Sequence, residues 1–489
     1  MITRRDTCTL GDVLTRLSGE DLLVQFSGQT SEMLIHAVTS DSREVTPGTL
    51  FVAIEGTQFD GHAYIEQATE SGASALLVSR PVETDLPTVQ VSDTRLALAH
   101  IGALIVGDPG KHLGITAVTG TNGKTTTAWL LAQALNTAGI ACGYMGTIGY
   151  GMPGSLKTAS HTTPDPVKLQ MGLASLLDAG CKACAIEASS HAIDQQRTAA
   201  IPYQSAVFTN LTRDHLDYHG TLEAYLDAKA RLFEELDPAG QSVINIDDPA
   251  GRELMQRVSS RVLTYGSDPA ADIRLDIISD RTGLRLRLDG HDARFRLSGA
   301  FNAHNIAAAY GALESYGLTG PERIEALAQA ESAPGRFEIL PIRKDRVAVV
   351  DYAHTPDALQ NVLKAARGIL PAGANLWCVF GCGGERDTGK RPLMGEVAEK
   401  LADRVVVTSD NPRTEDPQEI LDQIRQGVKQ PEQVQWVIDR AEAVNRAIQT
   451  AGVGDVVVVA GKGPEPYQIV GTEYLPYSDM AQITQAARV

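Results

Sequence analysis

Short apolar runs rich in Val, Ile and Ala recur along the chain, and each closes on polar or glycine-containing residues. Residues 115–119 read Ile-Thr-Ala-Val-Thr and lead into Gly120. Residues 183–186 run into Glu187, and 206–209 into Asn210. After about residue 336 the same grammar restarts. The run 347–350 ends in Asp351, 376–380 in Gly-Cys-Gly-Gly-Glu-Arg, 405–408 in Asp410-Asn411-Pro412-Arg413, and 456–460 in Gly461-Lys462-Gly463-Pro464-Glu465. Such runs predict strands buried on both faces of parallel sheets. Helical patterns between them, as at 125–138 and 221–236, predict the crossovers. Upstream, 50–54 and 73–78 predict strands of a separate, small α/β unit. In an open parallel sheet ligands sit at the carboxyl ends of strands. Gly120, Glu187 and Asn210, far apart in sequence, are therefore predicted to converge on one crevice.

The length, 489 residues, suits three domains at roughly 150 residues each. We place them at 1–92, 93–335 and 336–489, with Pro334-Gly335 as a hinge. The formal charge of −17 argues against a general nucleic-acid binder, which is usually basic. An anionic substrate would need local basic residues. Of the six cysteines, Cys181-x-x-Cys184 is the one tempting pair. It lacks a second pair at zinc-site spacing, so buried thiols are the favoured reading. No apolar run approaches the ~20 residues of a membrane helix, and the N-terminus lacks a signal peptide's apolar core. A reducing cytoplasm is expected, without membrane insertion.

Residues 118–126, Val-Thr-Gly-Thr-Asn-Gly-Lys-Thr-Thr, carry the strongest chemical signal. Gly120 and Gly123 permit a tight turn whose N–H groups face a phosphate. Lys124 adds a point charge, Thr125 offers a hydroxyl to Mg²⁺, and the helix that follows favours an anion at its start. Thr121, Asn122 and Thr126 complete the cradle, so the chain is expected to bind ATP. The glycine spacing is shorter than in the standard P-loop, since Val118 stands where that motif needs glycine.

Other polar positions follow the strands. Glu187 beside a phosphate cradle suits a metal ligand. His215 and His219 have the i, i+4 spacing of a helical zinc pair. The aspartates around them and Gly220 suggest a loop instead, with His215 on Mg²⁺ and His219 hydrogen-bonding. Lys229, in a helix, reads by pattern alone as solvated. Asn302 and Asn305 at a helix start suit either a cap or contact with the nucleotide. Arg336, Arg386, Lys390, Arg391 and Arg413 make the last third locally basic. Arg413, closing a strand end, can clamp a carboxylate with two parallel hydrogen bonds.

Together these residues resemble the Mur ligase family over nearly the whole chain. The landmarks are Gly-Thr-Asn-Gly-Lys-Thr at 120–125, Glu187-x-Ser-Ser-His, Thr209-Asn210-Leu211 with its downstream Asp-His, Phe301-Asn302-x-x-Asn305, Pro334-Gly335-Arg336 and Asp351-Tyr352-Ala353-His354. The shorter cradle is shared with folylpolyglutamate synthetases, the nearest rival reading. The loop 214–220 and the tetrad 410–413 are similar to the branch that adds meso-2,6-diaminopimelate.

The resemblance implies a small α/β N-terminal domain, a central P-loop-type parallel-sheet ATPase domain and a C-terminal Rossmann-like domain. It implies an acid–amino-acid ligase of peptidoglycan precursor synthesis. That enzyme would join diaminopimelate to UDP-N-acetylmuramoyl-L-alanyl-D-glutamate through an acyl phosphate, with ATP as co-substrate and Mg²⁺ at two sites. It also implies residue roles. Lys124, Glu187, His215 and Lys229 would be catalytic. Asn302, Asn305, Arg336 and Asp351 would join residues 120–126 at ATP. Ser42, Thr57, Gln58 and Phe59 would hold the UDP end, and Thr162, Thr163, Ser189, Gln195 and Arg197 the muramoyl-peptide. Arg386, Asp410, Asn411, Pro412, Arg413, Gly461 and Glu465 would hold diaminopimelate. Thr125, Glu187, His215 and Lys229 would carry the metals, with Lys229 as its carbamate, against the solvated reading that its pattern alone gives. Pro464-Glu465-Pro466 departs from the family's pattern beside the glutamate. A monomer without a nucleic-acid partner is expected.

Overall fold

The computed structural model describes residues 8–28, 31–56, 59–158, 161–279, 283–343 and 345–488. Three sheets organise them in chain order.

The first sheet has five strands in the order Leu23–Ser27, Thr88–Val91, Ala75–Val78, Thr49–Val52, Ala37–Thr39. Its first strand is antiparallel to its neighbour and the rest run parallel. Helices Leu10–Gly19 and Thr94–Ile105 contribute Leu10, Val13, Leu17, Leu98 and Ile101 to its core. The second helix is started by Asp93, whose carboxylate accepts from the N–H groups of Arg95 and Leu96. The core of the first domain therefore runs past residue 92.

The central sheet has eleven strands. Seven run parallel, in the order Cys142–Gly146, Ala183–Glu187, Gly114–Thr119, Tyr203–Phe208, Gln241–Asn245, Arg261–Gly266, Ile273–Ser279. The uniform strand–helix alternation expected here does not hold at the two ends. Gly149–Met152 with Ser155–Lys157, and Arg285–Leu288 with His291–Arg294, add antiparallel strands. Arg285–Leu288 alternates exposed and buried residues. Asp289 and Gly290, both at positive φ, close its two-residue turn as tight hairpins require. One face of the sheet is covered by the helices Lys124–Thr137 and Phe301–Glu314, whose Leu130, Leu131, Ile306 and Ala307 are fully buried.

The third sheet runs Glu338–Arg343, Arg346–Asp351, Val456–Ala460, Leu376–Phe380, Arg404–Val407, Gln435–Trp436, parallel except at its first strand. Helices cover both faces and form separate cores around Leu363, Phe380 and Ile424 on one side and Val457, Val444 and Ile483 on the other. This is the doubly wound, Rossmann-like arrangement.

All six cysteines are free and buried. Cys181 and Cys184 pack in one apolar cluster with Ile115 and Leu173, so that pair fills space. Among the described residues no helix is long and apolar enough to cross a membrane.

Candidate functional site

The strand Gly114–Thr119 hands over to the helix Lys124–Thr137 through four residues, with Gly120 at φ +148° and Gly123 at φ +84°. Both glycines are also needed for space. A Cβ at Gly120 would lie 1.9 Å from Thr209 Oγ1, and one at Gly123 would lie 2.3 Å from Asn305 Oδ1. Gly123→Ala is accordingly expected to cost about 1–3 kcal/mol of stability and to weaken ATP binding. Thermal melts with and without nucleotide check this, and an unchanged pair of melting temperatures would contradict it. Lys124 Nζ donates to the carbonyls of Gly120 (2.9 Å) and Thr121 (2.8 Å). Burial pushes its ammonium below its ordinary range, so a nearby anion would be strongly favoured.

Glu187 ends its strand fully buried beside the cradle. Thr125 Oγ1 donates to its Oε2 at 2.9 Å, the Thr147 N–H to its Oε1 at 2.9 Å, and the Tyr144 hydroxyl also to Oε1. His215 sits at φ +53° as the cap of a short helix, Leu216–His219, where a loop was expected. Burial pushes its imidazole down to about 3, so the ring is neutral at pH 7 and able to ligate a metal. His219 Nε2 lies 2.9 Å from Ser190 Oγ and stacks on Tyr225, which is the hydrogen-bonding role expected of it.

Lys229 is not solvated as its pattern alone suggested. It is 1% exposed, donates to Gly120 O at 3.0 Å and lies over the Tyr225 ring. Burial, and then the Lys124 charge, hold its ammonium far below the usual range, with Asp214 partly offsetting them.

The C-terminal domain reaches over the cradle. Arg336 Nη2 donates to Thr125 Oγ1 at 2.8 Å, and its guanidinium lies over Tyr352. Asn122 Nδ2 donates to Asp357 Oδ2 at 3.1 Å. Asp214 is buried between His215 (3.4 Å), His354 (3.6 Å) and Lys390 (3.8 Å). Burial alone would raise this carboxyl, but those partners hold it well below the ordinary range. Sequence reading missed Asp214, His354 and Lys390 as a set, because they meet only when two domains are brought together. Gly335, at φ +65°, packs the hinge against the C-terminal domain's loop at Gly463-Pro464, since a Cβ there would lie 2.3 Å from Pro464 N.

The cleft, open on one side, measures about 760 Å³. Its walls include Gly123, Lys124, Glu187, His215, Lys229 and Asn305 from the central domain. Arg386, Asp410, Asn411, Arg413, Gly461 and Glu465 face them from the C-terminal domain. Thr121, Asn122, Thr125, Thr126, Thr162, Ser189, Arg336 and Asp351 also line it.

Several expected positions behave differently. Asn302 neither lines the cleft nor caps the helix. It lies inside Phe301–Glu314, where its Nδ2 donates to Ser298 O and its Oδ1 accepts from Asn305 at 2.9 Å, so it orients Asn305. Both Asp351 oxygens accept from backbone N–H groups, of Phe337 (2.7 Å) and Ala353 (2.8 Å), so it braces the hinge. Gly120 and Pro412 shape backbone without lining the cleft. Thr163, Gln195 and Arg197 form a neighbouring cluster joined to Glu187. Thr163 Oγ1 donates to Glu187 O at 2.7 Å, Arg197 Nη1 to Thr163 O at 3.3 Å and Arg197 Nε to Gln195 at 3.0 Å. Ser42 and Phe59 lie away from the cleft on the first domain. Ser42 is buried and donates to Gln67, whereas Phe59 is 69% exposed. Thr57 and Gln58 fall outside the described residues. Among the described residues one trio of metal-capable side chains clusters, Glu55, Asp60 and His62. Arg80 bridges both of its carboxylates, which makes it an ion-pair network.

Comparison with known proteins agrees with this architecture. Residues 34–105 match the Mur ligase family catalytic domain, 118–313 the Mur ligase middle domain, and 335–463 the Mur ligase glutamate ligase domain. A UDP-N-acetylmuramoyl-L-alanyl-D-glutamate--2,6-diaminopimelate ligase of Pseudomonas syringae pv. tomato is 44% identical over 94% of this chain and 96% of its own. One of Ectopseudomonas mendocina is 46% identical over 93% and 96%. A solved ligase of the same name superposes with a TM-score of 0.69 at 34% identity, covering 99% of both chains. A MurF ligase of Thermotoga maritima solved with ADP, at 22% identity and a TM-score of 0.61 over 88% and 95% of the two chains, shares the fold. With three matched domains in order and relatives this similar along almost its full length, the chain belongs to the Mur ligase family, whose members are ATP-dependent amide-bond-forming ligases.

Proposed function

We propose that the protein joins meso-2,6-diaminopimelate to UDP-N-acetylmuramoyl-L-alanyl-D-glutamate at the expense of ATP. One observation carries this reading: the phosphate cradle and Asp410, Asn411 and Arg413 of the tetrad line a single cleft. A cradle alone serves any ATPase, and a basic wall alone binds any acid. Facing each other, they can hold ATP and a carboxylate-bearing amino acid on either side of a third reactant. The relatives named above carry this activity in their names, and the diaminopimelate role comes from them together with the tetrad.

The chemistry has two steps. An oxygen of the D-glutamyl carboxylate attacks the γ-phosphorus of ATP and ADP leaves, giving an acyl phosphate. The amine of diaminopimelate then attacks the acyl carbon, the C–O bond to phosphate breaks, and the amine loses a proton. A carboxylate is a poor electrophile, and binding two anions side by side is repulsive. The protein's part is to position both and neutralise their charge. Lys124 and Arg336 supply fixed positive charge; the N–H groups of Thr121 and Asn122 are given to Asn210, so the start of the helix Lys124–Thr137 is the part left to favour a phosphate. Asn305, oriented by Asn302, borders the nucleotide side.

Two Mg²⁺ ions suit the donors present. Thr125 and Glu187 offer hard oxygens, and His215 offers a neutral imidazole. Mg²⁺ fills the rest of its octahedron with water and phosphate oxygens, so a preformed cage is unnecessary. Asp214, buried beside His215, is a further carboxylate in the cleft, and Lys229 would add another anionic ligand if it carried CO₂ as a carbamate. When bound, the ions would neutralise charge on the transferring phosphoryl group. The N-terminal domain takes the UDP end through Ser42, Thr57, Gln58 and Phe59, while Thr162, Thr163, Ser189, Gln195 and Arg197 take the muramoyl-peptide. Every group named lies in one chain, which supports a monomer with small-molecule partners as the working form.

The test is to incubate enzyme, ATP, Mg²⁺ and the UDP-muramoyl-dipeptide with hydroxylamine, omitting the amino acid. Trapped hydroxamate is expected, and diaminopimelate should then drive phosphate release far better than lysine does. A folate acceptor should be inert. Brisk turnover with no hydroxamate would remove the acyl phosphate from the account, and turnover on folate would move the protein to the rival class.

A further inference from the structure

The strand Val456–Ala460 ends at Gly461, whose φ of +115° turns the chain back beneath the tetrad. A Cβ there would lie 2.8 Å from Asp410 Oδ2. The turn drives Lys462 inward, and this lysine is completely buried. Its Nζ donates to Asn411 Oδ1 at 2.9 Å and to Glu465 Oε2 at 2.8 Å, and lies 3.7 Å from Asp410 Oδ1. A wholly buried lysine requires partners of this kind, but these partners are themselves the wall of the cleft.

Lys462 settles what that wall can offer. Asn411 Oδ1 accepts from Lys462 and from the Ile469 N–H at 2.9 Å, so its amide cannot flip, and its Nδ2 donates to Glu465 Oε2 at 3.0 Å. Glu465 Oε2 thus receives two donors, whereas Oε1 receives only the Tyr352 hydroxyl at 3.3 Å. Asp410 Oδ1 is buried without a hydrogen-bond partner among the described residues. Glu465 Oε1 is therefore the carboxylate oxygen left least engaged for a ligand's ammonium, while Asp410 Oδ1 faces Lys462. Between residues 383 and 465 the wall carries Arg386, Lys390 and Arg413 against Asp387, Asp410 and Glu465, with Lys462 buried behind it. With Lys462 it is formally positive; without it, it is formally neutral.

We infer that Lys462, which need not touch substrate, is the positioning residue that makes this cleft select an amino acid bearing a second carboxylate. It orients Asn411 and Glu465 and tips the local charge toward an anion. The inference rests on the substrate reading above and extends it to a residue outside the tetrad.

The test measures kcat and KM for diaminopimelate and for lysine in wild type, Lys462→Met and Lys462→Gln. Hydroxamate trapping without amino acid reports the integrity of the ATP half of the site. Glutamine keeps a donor near Asn411 and Glu465 but loses the charge, so it reads selectivity if methionine fails to fold. The expected result is a rise of at least about tenfold in KM for diaminopimelate with hydroxamate formation retained. The preference for diaminopimelate over lysine should fall by at least about tenfold. Equal losses for both amino acids, or an unchanged preference in the glutamine variant, would overturn the role given to Lys462 while leaving the substrate reading intact. Absence of diaminopimelate-dependent phosphate release in the wild type would overturn both.

Discussion

Replacing Lys229 by alanine is expected to lower turnover by about 10²–10³-fold or more, the scale seen when one preorganised electrostatic group is removed. Added bicarbonate should restore none of it. A cationic lysine in that place would be poorly served, because its Nζ is buried with one hydrogen-bond acceptor, Gly120 O, and an aromatic face. The neighbouring Lys124 adds repulsion. Both effects favour the free amine, and a free amine is the form that attacks CO₂. The N–C bond forms, one proton leaves the nitrogen, and a neutral amine becomes an anion. That anion would stand in the cleft with Glu187 and His215, where it would add a charged ligand for a second Mg²⁺. Alanine removes the nitrogen, so no supply of CO₂ can rebuild the group. Single-turnover hydroxamate formation is the measurement to make, since it isolates phosphoryl transfer from amino-acid binding. A Lys229→Ala protein that still forms the acyl phosphate at most of the wild-type rate would end the carbamate proposal.

Lys229 also shows where sequence reading stops. Its helix was legible from period and capping, running Leu222–Glu234 behind the Thr221 cap. Which face of that helix meets the cradle is a tertiary fact, and lysine on a helix is ordinarily solvated. The cradle was legible because its whole meaning lies in six consecutive residues. Glu187 and the tetrad were legible because strand ends in parallel sheets converge. Asp214, His354 and Lys390 were not, because each is unremarkable until two domains meet. Lys462 was hidden by its surroundings, a glycine-rich strand end in which any lysine could point to solvent. The hairpin at Asp289-Gly290 was readable, since an Asp-Gly pair between alternating strands is a turn signal. The repeated strand–helix grammar around it drew attention away. Asn302 and Asp351 were expected at the nucleotide, but their side chains are consumed by Ser298, Asn305, Phe337 and Ala353.

Arg413→Ala is expected to cut kcat/KM for diaminopimelate by about 10²–10³-fold, the cost of truncating one partner of a buried, charge-assisted pair. Acyl-phosphate formation in the absence of amino acid should be left near normal. The backbone prepares Arg413 for this role. It is held at φ +52°, a conformation that few residues other than glycine adopt. Its N–H donates to Ile469 O at 3.1 Å and its carbonyl accepts from the Gly471 N–H at 2.8 Å. The side chain gives one hydrogen bond, Nη1 to Gly384 O at 2.7 Å. Nε and Nη2 keep no protein acceptor among the described residues, which leaves a fork able to take a carboxylate with two bonds. Diaminopimelate fills that fork with its far carboxylate. Lysine has no such group and would leave the guanidinium desolvated and unpaired, a mismatch that can reach about 10⁴-fold in discrimination. Alanine removes both the attraction and the mismatch, so lysine should lose little and the ratio between the two amino acids should collapse. Steady-state phosphate release with each amino acid reads this directly. Near-normal diaminopimelate kinetics in the variant would mean that the second carboxylate is recognised elsewhere in the cleft.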